Sequence, residues 1–126
     1  MTDVTSMLGF DPDCVFCERI RKHEYDSFNE HAVSFAPLNP VTEGHLLIVP
    51  RLHVHNAAEV PKITGKAFEY ASYLGSWLPE GFNLITSAGK NATQTVFHLH
   101  IHLIPRFKDD GLALPWTGQD KKESVT

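Results

Sequence analysis

Long apolar runs are missing from this chain of 126 residues. None nears the roughly 20 residues that a membrane-spanning helix requires, so no membrane partner is expected. The opening MTDVTSMLGFDPD lacks the basic and apolar regions of a secretory signal, which makes a reducing cytoplasm the expected setting. Positive charge is scarce as well. The 11 Lys and Arg stand against 15 Asp and Glu, giving a net charge of −4 and a pI near 6.0. That balance argues against the broad basic surface of a protein that binds nucleic-acid polymers. A small anionic substrate stays open, because a few local donors can outweigh a weak overall field. Repeats, low-complexity tracts and interdomain linkers are absent. Residues 1–126 are therefore read as a single domain, with a flexible N-terminus over about 1–10 and a polar tail over about 118–126.

Cysteine is nearly absent too, and the only two, Cys14 and Cys17, sit together in CVFC. A C-x-x-C pair reads as a redox couple, half of a metal site, or two core residues. The preceding GFDPD offers no strand of the kind that leads into a thioredoxin-like couple, which puts the redox reading last. Tetrahedral zinc needs four ligands, and the missing two would have to come from histidines elsewhere.

Histidine is plentiful, with 8 in the chain. Three of them alternate with apolar residues in QTVFHLHIHLIP, residues 94–105. On a strand, Phe97, Leu99, Ile101 and Leu103 would face a core while His98, His100 and His102 share the opposite, exposed face. Each imidazole has two ring nitrogens that need partners. That face is therefore expected to be a metal site, a catalytic site or both.

The flanking pattern supplies a frame. HAVSFAPL and HLLIVP read as two strands joined by the turn cluster NPVTEG. NAAEV reads as a helical turn with Asn56 as N-cap and Glu59 reaching back. The spacing of Ile63, Ala67, Tyr70, Ala71, Leu74 and Leu78 predicts a helix over 62–78, stopped by Pro79 and Gly81. FNLITS (82–87) and the histidine strand (96–104) read as an antiparallel pair. The expected fold class is α+β: an antiparallel meander sheet of about five strands, one main helix, and a short N-terminal helix ending near Lys22.

Taken together, CVFCERI, GHLLIVPRLH and TQTVFHLHIHLIPR resemble the histidine triad (HIT) family, whose signature alternates three histidines with apolar residues. HLHIHLI (98–104) fits that signature at every position. The resemblance implies a nucleotidyl hydrolase or transferase in which the middle histidine, here His100, attacks the α-phosphorus of a nucleotide conjugate. An ordinary imidazole titrates near pH 6.5, so it supplies a neutral nucleophile at pH 7, provided an acceptor such as a backbone carbonyl holds the proton on its other nitrogen. His102 is implied as a donor to phosphate or leaving group, and His45 as a partner in the same network. Gln94 and Thr95 resemble the family's phosphate-contacting pair. Phe16, Ile20 and Phe35 are candidates for a base pocket, although such residues are more often core. His23, His31 and His55 are read as solvent or loop residues.

Several positions depart from the nucleoside phosphoramidase pattern. Pro37 stands where an acid binds the ribose hydroxyls, with Asn39 as a substitute donor; Thr93 stands where Gly is usual, and Ser87 where Asn is usual. The zinc-binding members of the family imply a structural zinc at Cys14, Cys17, His53 and His98, with His55 as the competing ligand. No organic cofactor is expected. The family also implies a homodimer meeting through the helix 62–78 and the strand 82–87, with Trp116 either near the partner's site or buried as a tail anchor. Two other readings stay open. One is a metal-dependent hydrolase whose three triad histidines hold catalytic zinc; the other is a non-catalytic nucleotide-binding protein.

Overall fold

The computed structural model describes residues 9–119, and of the two segments expected to be loose, 1–8 and 120–126 lie outside it. Gly9 is buried, and its carbonyl accepts a hydrogen bond from the His53 N–H, so the chain is already tied down there. Helix α1 (Val15–Arg21) opens on Cys14, whose sulfur accepts from the Cys17 N–H at the N-cap. Five strands follow: β1 (Ser27–Phe28), β2 (Ala32–Phe35), β3 (Leu46–Pro50), β4 (Phe82–Ile85) and β5 (Ile101–Pro105). The main helix, α2 (Pro61–Gly75), lies between β3 and β4.

All neighbouring strands are antiparallel, in the order β1-β2-β3-β5-β4. Strands β1 to β3 run in sequence. Helix α2 then carries the chain to the far edge, and β5 returns between β4 and β3. The histidine strand is thus internal, with Leu47 and Ile85 both opposite His102.

Both faces of the sheet are covered. On one, Ala67, Tyr70 and Ala71 of α2 pack on Ala32, Ile48, Ile101 and Leu103. On the other, Cys14, Phe16 and Cys17 pack on Val33, Phe35, Leu47 and Val49. The register sorts the triad strand between them. Ile101 lies opposite Ile48 on the α2 side, and His102 lies opposite Leu47 on the α1 side. The imidazole face of the strand is therefore turned toward the second core, on the α1 side.

The boundaries differ from expectation where glycine and loops intervene. Helix α2 stops at Gly75, three residues before Leu78, and its end tightens into a turn in which Leu78 N–H reaches the Gly75 carbonyl at 2.9 Å. A side chain at 75 would meet the Phe82 ring at 2.7 Å, so glycine lets β4 pack against the helix end. NAAEV forms a turn and no helix: Asn56 Oδ1 accepts from Ala58 N–H, and Glu59 Oε1 from His55 N–H. Regular pairing of the histidine strand begins only at Ile101. Before it, the chain is held by isolated bonds, among them Leu99 N–H to the Val54 carbonyl at 2.7 Å. Phe97 consequently escapes the alternation and is 40% exposed.

The loop from β4 to β5 contains a short 3₁₀ turn (Lys90–Ala92) ended by Thr93 at φ 70°, in the left-handed region. A β-branched residue is strained there, which explains why glycine is the usual occupant. Thr93→Gly is expected to raise stability by about 1 kcal/mol, the relief of strain outweighing the extra freedom of the unfolded chain. Thermal unfolding of the two chains would show it, and an unchanged or lower midpoint would count against strain at this position.

Candidate functional site

The triad histidines share a strand face but not a destination. His98 is completely buried, against the expectation of three histidines on one exposed face. Its Nε2 faces the Pro50 carbonyl at 2.9 Å, so that nitrogen carries the proton and Nδ1 keeps a lone pair. Nδ1 looks into the cysteine pair, 3.4 Å from Cys14 Sγ and 3.5 Å from Cys17 Sγ. His53 Nδ1 completes the group, 3.4 Å from Cys17 Sγ and 3.1 Å from His98 Nδ1. A tetrahedral ion bonded at about 2.3 Å to sulfur and about 2.05 Å to nitrogen separates S from N by about 3.5 Å and N from N by about 3.4 Å. The observed spacings fit those edges. All four ligand atoms lie within 4.8 Å of one another, and the set could hold a metal ion. Its chemistry also fits, since it offers two soft sulfurs and two imidazoles with no carboxylate.

The set joins three pieces of chain: the start of α1, the segment after β3, and the approach to β5. Outer partners support it. Pro50 orients His98, and Asp11 stands 4.0 Å from His53 Nε2. His55, the competing ligand, is exposed and lies outside the cluster. Burial pushes the Cys17 thiol up to about 12 and the His98 ring down to about 4. With no cation, the pocket thus favours neutral groups; binding an ion there must displace the thiol protons.

His100 turns to a different partner. Its Nδ1 lies 2.8 Å from the His98 carbonyl, the backbone acceptor that a neutral nucleophile requires. A carbonyl cannot donate, so Nδ1 carries the proton and Nε2 has the free lone pair. Phe16 packs its ring edge-on to His100 with centroids 5.2 Å apart, and Phe35 backs Phe16 at 5.4 Å. Both phenylalanines are buried, at 8% and 2% exposure, so in this structure they act as the wall behind the imidazole.

His102 and His45 form a third arrangement. The Val41 N–H reaches His45 Nδ1 at 3.1 Å, which leaves the His45 proton on Nε2. That proton points to His102 Nδ1 at 2.9 Å, and the His102 proton therefore sits on Nε2, available to an outside acceptor. His45 is only 4% exposed. Burial lowers its pKa; burial followed by the neighbouring His100 and His45 brings His102 down to about 4. The chain Val41 to His45 to His102 is thus neutral at pH 7, with one donor left over.

Two expected contacts take another form. Gln94 is turned inward, its Oε1 accepting from Gly89 N–H at 2.8 Å and its Nε2 donating to the carbonyls of His55 (2.5 Å) and Val96 (3.1 Å). It braces the loop; its polar atoms are not presented to a phosphate. Thr95 is exposed and lines an open cavity of about 280 Å³ with Asp13, His53 and Phe97. Asn39 is exposed beside the half-buried Pro37. Trp116 is 55% exposed, so it is not a buried tail anchor in this chain. Sequence patterning missed Val41, whose backbone sets the His45 tautomer, and Thr86, whose hydroxyl donates to the His100 carbonyl at 2.7 Å. Neither carries a motif.

The low His102 pKa has a measurable consequence. A histidine that titrates near 4 when folded and near 6.5 when unfolded takes up its proton first in the unfolded chain. Stability is then present above about pH 6.5 and is lost as pH falls toward 4. Denaturant midpoints should decline over that window, and His102→Asn should flatten part of the decline; an equal slope in the variant would contradict the assignment. For the cation, chain purified without chelator is expected to carry about one divalent ion, and Cys17→Ser to lose it together with several degrees of thermal stability. Elemental analysis with a melting curve checks both, and a metal-free wild-type chain refilled by no divalent ion would refute it.

The HIT domain family model matches residues 25–109. The chain is 32% identical over 126 aligned residues to the adenosine 5′-monophosphoramidase of Saccharomyces cerevisiae, covering 94% of this chain and 79% of that protein. It is 33% identical over 114 residues to an adenylylsulfatase of Arabidopsis thaliana, covering 79% of this chain but only 55% of that longer protein. Among solved structures, a zinc-bound histidine triad family protein from Mycobacterium smegmatis superposes with a TM-score of 0.64 at 28% identity, over 80% of each chain. With the motif, the sheet order and these matches in agreement, the chain belongs to the HIT family.

Proposed function

We propose that the chain is a nucleotidyl hydrolase or transferase that works through a covalent nucleotidyl-histidine on His100. One observation carries the reading: the His100 Nδ1 proton is held by the His98 carbonyl at 2.8 Å, which leaves Nε2 as a fixed lone pair. Nε2 attacks the α-phosphorus, and the bond from phosphorus to the leaving group breaks with its electron pair on the departing atom, which takes up a proton. His102 Nε2–H donates to a phosphoryl oxygen or to the leaving atom as charge develops. Water then attacks the phosphorus, releases its proton to solvent, and returns the P–N electron pair to His100. His45 holds His102 in the donating tautomer.

The relatives' names support a nucleotide monoester conjugated through nitrogen or sulfate as the substrate class. The ion proposed at Cys14, Cys17, His53 and His98 is zinc. When bound, it supplies a structural cross-link and no open position for chemistry. The triad-as-ligand alternative fits poorly, since the three imidazoles address three different partners. The open edge at β4 is the surface proposed for a homodimer, with Phe82 at 37% exposure and Trp77 at 73% offering apolar area beside it.

Replacing His100 with Asn is expected to abolish turnover of an adenosine phosphoramidate while nucleotide monophosphate binding persists. His102→Asn is expected to be milder, losing about 2.7–4 kcal/mol of transition-state stabilisation at most. Alkaline quenching during turnover, followed by peptide mapping, should find the adduct on His100, because a phosphorus–nitrogen bond survives alkali and breaks in acid. An adduct elsewhere, or full activity without His100, sinks the proposal. Binding of nucleotide with no turnover by the wild-type chain would favour the non-catalytic reading.

A further inference from the structure

His100 lies outside the β-ladder. The β4 pairing ends at Ile85 and His102 and the β3 pairing at Ile48 and Ile101, where β5 begins. The ladder that would otherwise fix the backbone of residue 100 has ended, although the ring of that residue must be placed to a fraction of an ångström for in-line attack. One side chain takes over where the ladder stops. Thr86 directly follows β4, and its Oγ1 donates to the His100 carbonyl at 2.7 Å. Two further bonds act on the same short segment: Leu99 N–H to the Val54 carbonyl at 2.7 Å and His100 Nδ1–H to the His98 carbonyl at 2.8 Å.

These contacts divide the work. The Leu99 bond anchors the chain before His100, and the Nδ1 bond fixes the ring relative to His98. The Thr86 hydroxyl grips the carbonyl on the far side of the imidazole, just before Ile101 joins the ladder with β3. Thr86 is half-buried and Thr is stiff at χ1, so its hydroxyl is aimed at little entropic expense. We infer that Thr86 is a positioning residue for His100, holding its peptide in the plane from which Nε2 can reach phosphorus. The inference rests on His100 being the nucleophile, and adds to that reading a residue outside the histidine motif.

Thr86→Val keeps shape, volume and β-propensity while removing the donor; Thr86→Ser restores it. The Val chain is expected to lose about ten- to a hundredfold in kcat toward an adenosine phosphoramidate, with KM changed less than about twofold. The Ser chain should recover most of that loss. A merely structural threonine would lower the melting temperature in both variants and leave kcat of the folded enzyme intact. Nitrogen-15 imidazole spectra give a readout independent of turnover. His100 should show one Nδ1–H tautomer in the wild-type and Ser chains and a mixture of tautomers in the Val chain. A single tautomer in all three, or kcat in the Val chain within twofold of wild type, overturns the assignment. If the wild-type chain turns nothing over, the failure belongs to the proposed reaction, and the spectra alone decide the role of Thr86.

Discussion

His98 acts through both ends of its residue, and the remainder of the site hangs on that division. Its ring is fixed by the Pro50 carbonyl at 2.9 Å and turned to the cysteine pair; its own carbonyl fixes the His100 ring at 2.8 Å. Any shift of the His98 ring moves the backbone that holds the next imidazole, His100. The arrangement therefore couples a rigid, sulfur-rich cluster to a reactive nitrogen through one residue. A cation in the cluster would tighten that residue from the side remote from substrate, which is why a closed set without an open position suits the site. Helix α1 would benefit equally, since Cys14 at its N-cap and Cys17 on its first turn are two of the four residues that could hold the ion.

Burial is what makes three different histidines out of one repeated pattern. In water the rings would be interchangeable. Here a fully buried ring between a carbonyl and two sulfurs, a ring walled by Phe16, and a ring bonded to a buried His45 have separate hydrogen-bond partners. Removing solvent disfavours the charged form, so His98 and His102 are both brought to about 4. Neutral rings have one donor and one acceptor each, and backbone groups decide which nitrogen is which: Pro50, His98 and Val41 supply that information. No charged side chain is required to orient the three imidazoles.

Much of this was legible in the sequence, for physical reasons that also mark where legibility ended. Strand patterning is local, so the alternation around Val33 and Phe35, the near-continuous apolar run at 46–50, the strand at 82–85 and the inward Ile101 and Leu103 could be read from the sequence. The four-residue metal set and the network partner His45 followed from the family resemblance, because residue type and order carry that information. Backbone hydrogen bonds carry none in sequence. The escape of Phe97 from the alternation depends on a ladder that starts only at Ile101, and the inward turn of Gln94 depends on three loop groups contributed by Gly89, His55 and Val96. Thr86 and Val41 were invisible for the same reason: a hydroxyl or a backbone N–H becomes a functional partner only once the fold has chosen its neighbour.

On the proposed reaction, the phosphate end and the nucleoside end of the site are built to different standards. At His100 the Nδ1–H and the backbone carbonyl each have a counterpart, Nε2 is left free, and Phe16 and Phe35 close the rear wall. Around Pro37 the chain offers no carboxylate, and Asn39 is exposed with no partner fixed against it among the described residues. A buried polar partner discriminates by orders of magnitude because an analogue leaves it unsatisfied; an exposed amide can turn to water at little cost. If the reaction proposed above is right, the chain should therefore be exacting about the geometry at phosphorus and permissive about the sugar. The loss of the ribose-binding acid then has a definite meaning. It relaxes recognition of one end of the substrate while leaving the nucleophile, its tautomer and its supports untouched, since none of those bonds passes through residue 37.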